Sequence, residues 1–156
     1  MATAKTRDFE LFDTITANAP GSSRSLDLNE FVDVADMEAF GIESIEIGID
    51  ATETTPETAV YLTQVALEDL SGGFISHASY NSLYTKFADV PTGYSEESLS
   101  LGDVKEVRYV PGGTIYMRAD QMGGATSSTL YIRITGKIAT LSAKDYMALA
   151  LTKASN

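Results

Sequence analysis

The sequence predicts an all-β protein, an antiparallel β-sandwich of about eight strands followed by a short C-terminal helix. Segments in which apolar and polar residues alternate recur along the chain, and clusters of Gly, Pro, Asn and Ser separate them. A sustained helical pattern occurs only near the C-terminus. Many short strands joined by turn residues are typical of sandwiches and barrels.

A length of 156 residues suits one domain, and 44% hydrophobic residues can supply its core. We predict a mobile N-terminal arm over residues 1–8, a sandwich domain over 9–141 and a helix over 142–152. The chain has neither Cys nor Trp. Disulfides, thiolate metal sites and cysteine nucleophiles are therefore excluded. We see no secretory signal, and no apolar run is long enough to span a membrane.

The first half of the chain contains the clearest strand, residues 42–50, in which Ile45, Ile47 and Ile49 share one face. Other strands are predicted over 9–17 and over 59–67, the latter with Val60 and Leu62 on one face. Residues 26–34 begin with alternation and then shift phase, which indicates a bulge or a break. Residues 35–40 could form one helical turn, ended by Gly41.

In the second half, residues 68–82 are irregular, 83–90 form a short strand and 91–103 form a polar loop. The segment "VKEVRYVPGGTIYMRAD" predicts a hairpin around its Pro-Gly-Gly turn. The segment "TLYIRITGKIATL" alternates Leu130, Ile132 and Ile134 with polar residues. Gly136 is expected to reset that phase.

The C-terminal helix has a start signal and an apolar face. Ser142 followed by Asp145 matches a capping box, and Tyr146, Leu149 and Ala150 then share one face, with Met147 and Leu151 beside it. About ten residues do not hold a helix alone in water. The helix must therefore dock, either over an open end of the sandwich or onto a neighbouring subunit.

The charges are unevenly distributed along a chain whose formal net charge is −11. That net charge argues against strong direct nucleic-acid binding. Twelve acids and no Lys or Arg lie between Arg24 and Lys86, and the acids run from Asp27 to Asp69. Residues 104–156 instead carry seven basic residues against three acids: Lys105, Arg108, Arg118, Arg133, Lys137, Lys144 and Lys153. The two regions can pair within one domain or between copies.

No pattern predicts a catalytic or cofactor-binding residue. His77 is the single histidine, and the nearby Ser76 and Ser79 lack the spacing of a nucleophile elbow. One histidine also argues against zinc. The Gly-rich segments lack the Lys and the helix start of a phosphate loop. We predict that the protein is not an enzyme and has no cofactor.

Two groups of polar residues leave alternatives open. Asp33, Asp36 and Glu38 could form a weak calcium site between copies or simply a solvated acidic loop, so no metal ligand is assigned. The pairs Tyr116/Arg118 and Tyr131/Arg133 are expected on the non-core faces of their strands. Tyr and Arg are enriched in interfaces, although both pairs also fit ordinary outward positions.

The layout resembles the single jelly-roll capsid proteins of icosahedral viruses. The likeness rests on the polar arm "MATAKTRD", about eight strands, the loops "EDLSGGFISHASYNS" and "PTGYSEESLSLGD", and the final strand with its helix. The resemblance implies two four-stranded sheets and self-association without chemistry. The arm carries only Lys5 and Arg7 against Asp8 and Glu10, which differs from the basic arms that contact genomes.

The sequence therefore predicts a self-assembling virion structural protein, located in the virion, whose partners are its own copies and other virion proteins. Its acidic region is expected to meet Arg118, Arg133, Lys137 or Lys153 of a neighbour, in a manner that depends on salt or divalent cations. The alternatives are a carbohydrate- or receptor-binding sandwich module, such as a spike or lectin-like domain, and a subunit of an extracellular filament or surface assembly.

Overall fold

The computed structural model describes residues 2–17, 21–33, 35–49, 59–90, 97–101, 108–122 and 128–154. These residues form nine strands and one helix: β1 (Ala2–Ala17), β2 (Ser22–Asp27), β3 (Glu38–Ile49), β4 (Ala59–Ala66), β5 (Ser82–Val90), β6 (Glu97–Leu101), β7 (Arg108–Pro111), β8 (Thr114–Met122), β9 (Ser128–Leu141) and α1 (Ala143–Ala154).

The strands form two antiparallel sheets with the connectivity of a jelly roll. Sheet A has the order β1-β9-β3-β7, and sheet B has the order β2-β8-β4-β5-β6. With β6 set aside, each sheet has four strands, and the chain crosses repeatedly from one sheet to the other. This is the arrangement of two Greek keys wound around one core. The predicted all-β sandwich with a short C-terminal helix is confirmed.

The core lies between the sheets and follows the predicted alternation in the clearest strands. Ile45 and Ile47 of β3 are buried, as are Leu130, Ile132 and Ile134 of β9. Side chains of this size contribute roughly 1.5–3 kcal/mol each when fully buried. Inter-sheet packing of these residues is therefore a large favourable contribution to stability.

Gly136 does not reset the phase of β9, and that prediction was wrong. Ile138 continues the inward row of Ile132 and Ile134. Gly136 lies opposite Phe9 and Ile42 on the neighbouring strands. A Cβ atom at Gly136 would collide with the carbonyl oxygen of Gly41, so the glycine permits a close approach of two backbones while the alternation continues.

The predicted hairpin around the Pro-Gly-Gly turn was also wrong. Strand β7 pairs with β3 in sheet A, whereas β8 pairs with β2 and β4 in sheet B. Residues 112–113 therefore carry the chain across the sandwich. Gly113 has φ of 112°, a conformation that favours glycine. The local turn chemistry was recognised correctly, but the pairing of its strands was not.

Two other local predictions need correction. Strand β3 begins at Glu38, so residues 35–40 do not form a helical turn; Met37 instead has φ of 56°. Residues 97–101 of the predicted polar loop form β6.

The predicted break in residues 26–34 is confirmed. Strand β2 ends at Asp27, and a 3-10 turn follows over Leu28–Glu30. The Asp27 carboxylate accepts a hydrogen bond from the Asn29 amide at 2.9 Å. Capping of this kind competes with continuation of a strand, and it places Leu28 in the core.

Helix α1 begins as the capping pattern predicts. The Asp145 amide donates to Ser142 Oγ at 3.2 Å. Tyr146, Leu149 and Ala150 are half-buried, and the helix lies beside β7. At the other terminus, the backbone of β1 pairs with β9 from Ala2 onward. The mobility of residues 1–8 and the three segment boundaries stay predictions.

Candidate functional site: the outer face of sheet A

The outer face of sheet A presents a regular array of side chains from three neighbouring strands. The register of β1, β9 and β3 aligns Phe12, Arg133 and Glu46 in one row. Thr14, Tyr131 and Gly48 form the next row, and Glu10, Thr135 and Ser44 form the row on the other side. We call these nine residues the Phe12 surface. Since all three strands belong to one sheet, the array is held on a rigid frame.

Arg133 lies between two carboxylates at the centre of this surface. Its Nε is 3.4 Å from Glu10 Oε1 without a well-directed hydrogen bond, and its NH1 is 3.5 Å from Glu46 Oε2. The Arg133 side chain is 43% exposed and the two glutamates are 53% and 54% exposed. Solvent-exposed ion pairs contribute roughly 0–1 kcal/mol. The cluster therefore orients Arg133 more than it stabilises the fold.

The aromatic side chains are arranged by a glycine and a hydrogen bond. The Tyr131 ring lies directly over Gly48, where a Cβ atom would approach it to 2.7 Å. The Tyr131 hydroxyl donates to Glu46 Oε1 at 2.8 Å. Phe12 stacks beside this ring with centroids 6.4 Å apart and planes 15° apart. The neighbours of Phe12 hold its ring in place, but the residue remains 54% exposed.

Sequence reasoning missed Phe12, although a signal for it was present. In "FELFDTITA" the buried residues Leu11 and Ile15 share one parity, and Phe12 occupies the opposite one. A single exposed apolar residue is ordinary on a protein surface, so it is the position of Phe12 beside Tyr131 and Arg133 that makes it a candidate. The outward orientation of Tyr131 and Arg133 agrees with the prediction.

Arg118, by contrast, is not available to a neighbouring copy as the sequence analysis expected. Its NH1 donates to the carbonyl oxygens of Leu70 and Ser71 at 3.0 and 3.1 Å. Its Nε lies 2.9 Å from Asp120 Oδ1, and its guanidinium lies over the Phe74 ring at 5.4 Å. Only 12% of the side chain is exposed. The chain's own β4–β5 connection therefore covers this residue.

Arg133 also has partners within its own chain, whereas the pairing of the acidic region with other copies stays a prediction. Arg133 pairs with Glu46, a member of the acidic region, inside one chain. Several acids also accept hydrogen bonds from nearby backbone amides while they remain on the surface. Asp33 Oδ1 accepts from the Ala35 amide at 3.0 Å, and Glu38 Oε2 accepts from the Asp33 amide at 2.8 Å. Arg118 and Arg133 thus already have anionic partners. Lys137 is exposed, and the side chain of Lys153 lies outside the described residues.

The remaining predicted candidates do not form a reactive centre in the part of the chain that the structure describes. His77 is exposed; Ser76 and Ser79 instead accept from the amides of Ala78 and Asn81, both at 3.2 Å, within turns. Around Asp33, the carboxylates bind backbone amides, and no group of three His, Asp or Glu residues suited to a metal occurs among the residues described. No described helix is long and apolar enough to cross a membrane.

Comparisons with known proteins find a likeness in structure but none in sequence. No family model and no curated protein matches the chain. A solved structure of Desmodium yellow mottle tymovirus is similar over 92% of this chain and 94% of that chain, with 12% identity and a TM-score of 0.36. A likeness of that degree carries no argument about function, so the strand order remains the evidence for the fold.

Proposed function

We propose that this protein is a virion structural protein, a capsid subunit that assembles with its own copies and with other virion proteins and has no catalytic activity. The observation that supports this most is the Phe12 surface. It combines an exposed phenylalanine with an oriented Tyr131 and Arg133 on a rigid sheet. Aromatic residues and arginine are enriched at the centres of protein interfaces.

The surface is well prepared for association because its parts are already ordered. Tyr131 is held by Glu46, and Arg133 by Glu10 and Glu46. Binding therefore immobilises few additional side chains, which lowers the entropic cost of association. The net charge of −11 acts against assembly through mutual repulsion. Added salt screens that repulsion, so assembly should strengthen as ionic strength rises.

The test is the state of the purified full chain. Light scattering across a series of protein, salt and calcium concentrations should show growth to a defined mass, and negative-stain microscopy should show closed shells. Filaments would instead favour the extracellular filament subunit. A chain that remains monomeric under every condition contradicts the proposal.

A glycan-binding module is the second candidate, because the Phe12 and Tyr131 rings are nearly parallel and carboxylates stand beside them. Aromatic faces of this kind can stack on sugar rings. If the dispersed monomer binds a defined glycan and Phe12→Ser abolishes that binding, this candidate replaces the capsid subunit. If the chain assembles and binds no glycan, the result supports the first proposal.

A further inference from the structure

Helix α1 presents a second apolar stripe that faces away from the sandwich. Lys144, Met147, Ala148 and Leu151 are all exposed, and their spacing of three and four residues places them on one helical face. Met147 is 57% exposed and Leu151 is 65% exposed. The half-buried Tyr146, Leu149 and Ala150 belong to the other side of the helix.

This outward stripe is unusual for a helix at the surface of a single domain. A surface helix commonly carries charged and polar residues opposite the face that it buries. Here two of the four large exposed apolar side chains of the described residues, Met147 and Leu151, lie one turn apart. The helix therefore offers an apolar ridge with one cation, Lys144, at its N-terminal end.

The Phe12 surface is complementary to this ridge. It exposes an aromatic ring beside two glutamates and one arginine, so its local charge is negative by one unit. The ridge on α1 is apolar and positive by one unit at Lys144. Apolar contact can supply the affinity, while opposite charges on the two surfaces favour one orientation.

The ridge of helix α1 does not face the Phe12 surface of its own chain. Helix α1 lies beside β7 with its ridge exposed, and Phe12 lies on β1 at the opposite edge of sheet A. Three strand spacings separate β1 from β7, a distance of about 14 Å. In this arrangement a contact between the ridge and Phe12 joins different copies. Each copy then has one ridge and one receiving surface, which lets the contact continue around a ring or a shell.

We propose that α1 of one copy binds the Phe12 surface of a second copy, with Met147 and Leu151 against Phe12 and Tyr131 and with Lys144 beside Glu10 or Glu46. This inference rests on the proposed function, because it names the contact by which subunits would assemble. It also makes Lys144 of α1, in place of the covered Arg118, the cation that reaches the neighbour.

Cysteine cross-linking tests the contact directly, since the chain has no cysteine of its own. One chain carries Thr14→Cys, next to Phe12 on the sheet, and a second carries Ala148→Cys on the ridge. Both variants keep Phe12, Met147 and Leu151 intact. After mixing under assembly conditions and mild oxidation, the disulfide-linked heterodimer should form about tenfold faster than with a Ser23→Cys control on sheet B.

The outcomes separate the contact from the proposed function. If particles form but the pair at 14 and 148 cross-links no faster than the control pair, the helix-to-sheet contact is wrong and assembly stands. If no particles form under any condition, both proposals fall. Preferential cross-linking within particles supports both.

A charge exchange provides an independent measurement. Lys144→Glu and Glu10→Lys should each weaken association about threefold, as expected for an exposed pair. A mixture of the two single variants contains a contact in which both charges are exchanged, and every contact of the double variant is of this kind. Both samples should therefore associate to within about twofold of the wild type. Equal thermal melts of all variants show that the fold is intact. A double variant as weak as the product of the single changes contradicts the proposal.

Discussion

The two sheets carry the same Tyr-x-Arg pattern on their outer faces but use it differently. On sheet B, Arg118 donates to the backbone of residues 70–71 and is nearly buried. On sheet A, Arg133 pairs with two exposed glutamates beside an exposed Phe12. What differs is the chain that lies opposite each arginine. One face is completed by its own polypeptide, and the other remains accessible to a partner.

The covering of sheet B is built around buried polar groups. Gln64 of β4 is only 1% exposed although it points away from the core. Its side-chain amide donates to the Ile75 carbonyl at 3.1 Å and accepts from the Ile75 amide at 3.0 Å. It also donates toward Ser82 and Thr85. The β4–β5 connection is thus attached by directional bonds, and sheet A has no equivalent segment among the residues described.

The largest expected effect is at Gln64. In Gln64→Leu the side-chain volume is retained, but the amide and carbonyl of Ile75 lose their partner, which should lower the free energy of unfolding by about 3 kcal/mol. Urea denaturation measures this. Glu43→Leu makes a similar polar-to-apolar change at an exposed position of β3 and should alter stability by less than about 0.5 kcal/mol. If the two variants lose the same free energy of unfolding, the β4–β5 connection does not depend on Gln64.

A matched pair of arginine changes tests the comparison itself. Arg118→Met leaves two carbonyls and Asp120 without their donor and should cost about 2 kcal/mol. Arg133→Met removes half-exposed ion pairs and a contact of the guanidinium with the Phe12 ring, and it should cost about 1 kcal/mol or less. Thermal melts of both variants provide the measurement. If the two changes cost the same, the sheets do not differ in the way described.

Phe12→Ser should separate assembly from stability. The side chain is 54% exposed, so its loss should change the free energy of unfolding by about 0.5 kcal/mol or less. If Phe12 is an anchor of the interface, association should weaken by about tenfold or more. Light scattering and melting curves on the same sample report both quantities. Normal assembly by this variant would remove Phe12 from the interface.

The smallest effect concerns pH and Asp69 in the covering segment. Hydrogen bonds from the Ser71 amide and then from its hydroxyl lower the pKa of Asp69. The charged Asp69 therefore stabilises the turn at pH values above the ordinary aspartate pKa. This contribution is lost as the pH falls through the lower pKa of the folded state. The protection of the Ser71 amide, taken relative to the intrinsic exchange rate at each pH, should fall only in that acidic range. A loss of protection near neutral pH would contradict this assignment.

Local patterns predicted much of this structure, and their limits have physical causes. Alternation identified the inward rows of β3 and β9, and it placed Tyr131 and Arg133 outward. It could not tell that Arg118 is covered, because residues 67–81 are irregular and their path depends on distant partners such as Gln64. The Pro-Gly-Gly turn has the same local chemistry whether it joins strands of one sheet or of two. Long-range pairing, which no short segment encodes, decided both cases.

Side-chain footprinting with hydroxyl radicals tests the central claim most directly, since it compares the two faces in one sample before and after assembly. We expect Phe12 on sheet A and Met147 on α1 to become protected in assembled particles, while Phe74 over sheet B keeps the reactivity that it has in dispersed protein. Protection of Phe74 with unchanged Phe12 would contradict the account, because it would place the partner on the face that the chain already covers.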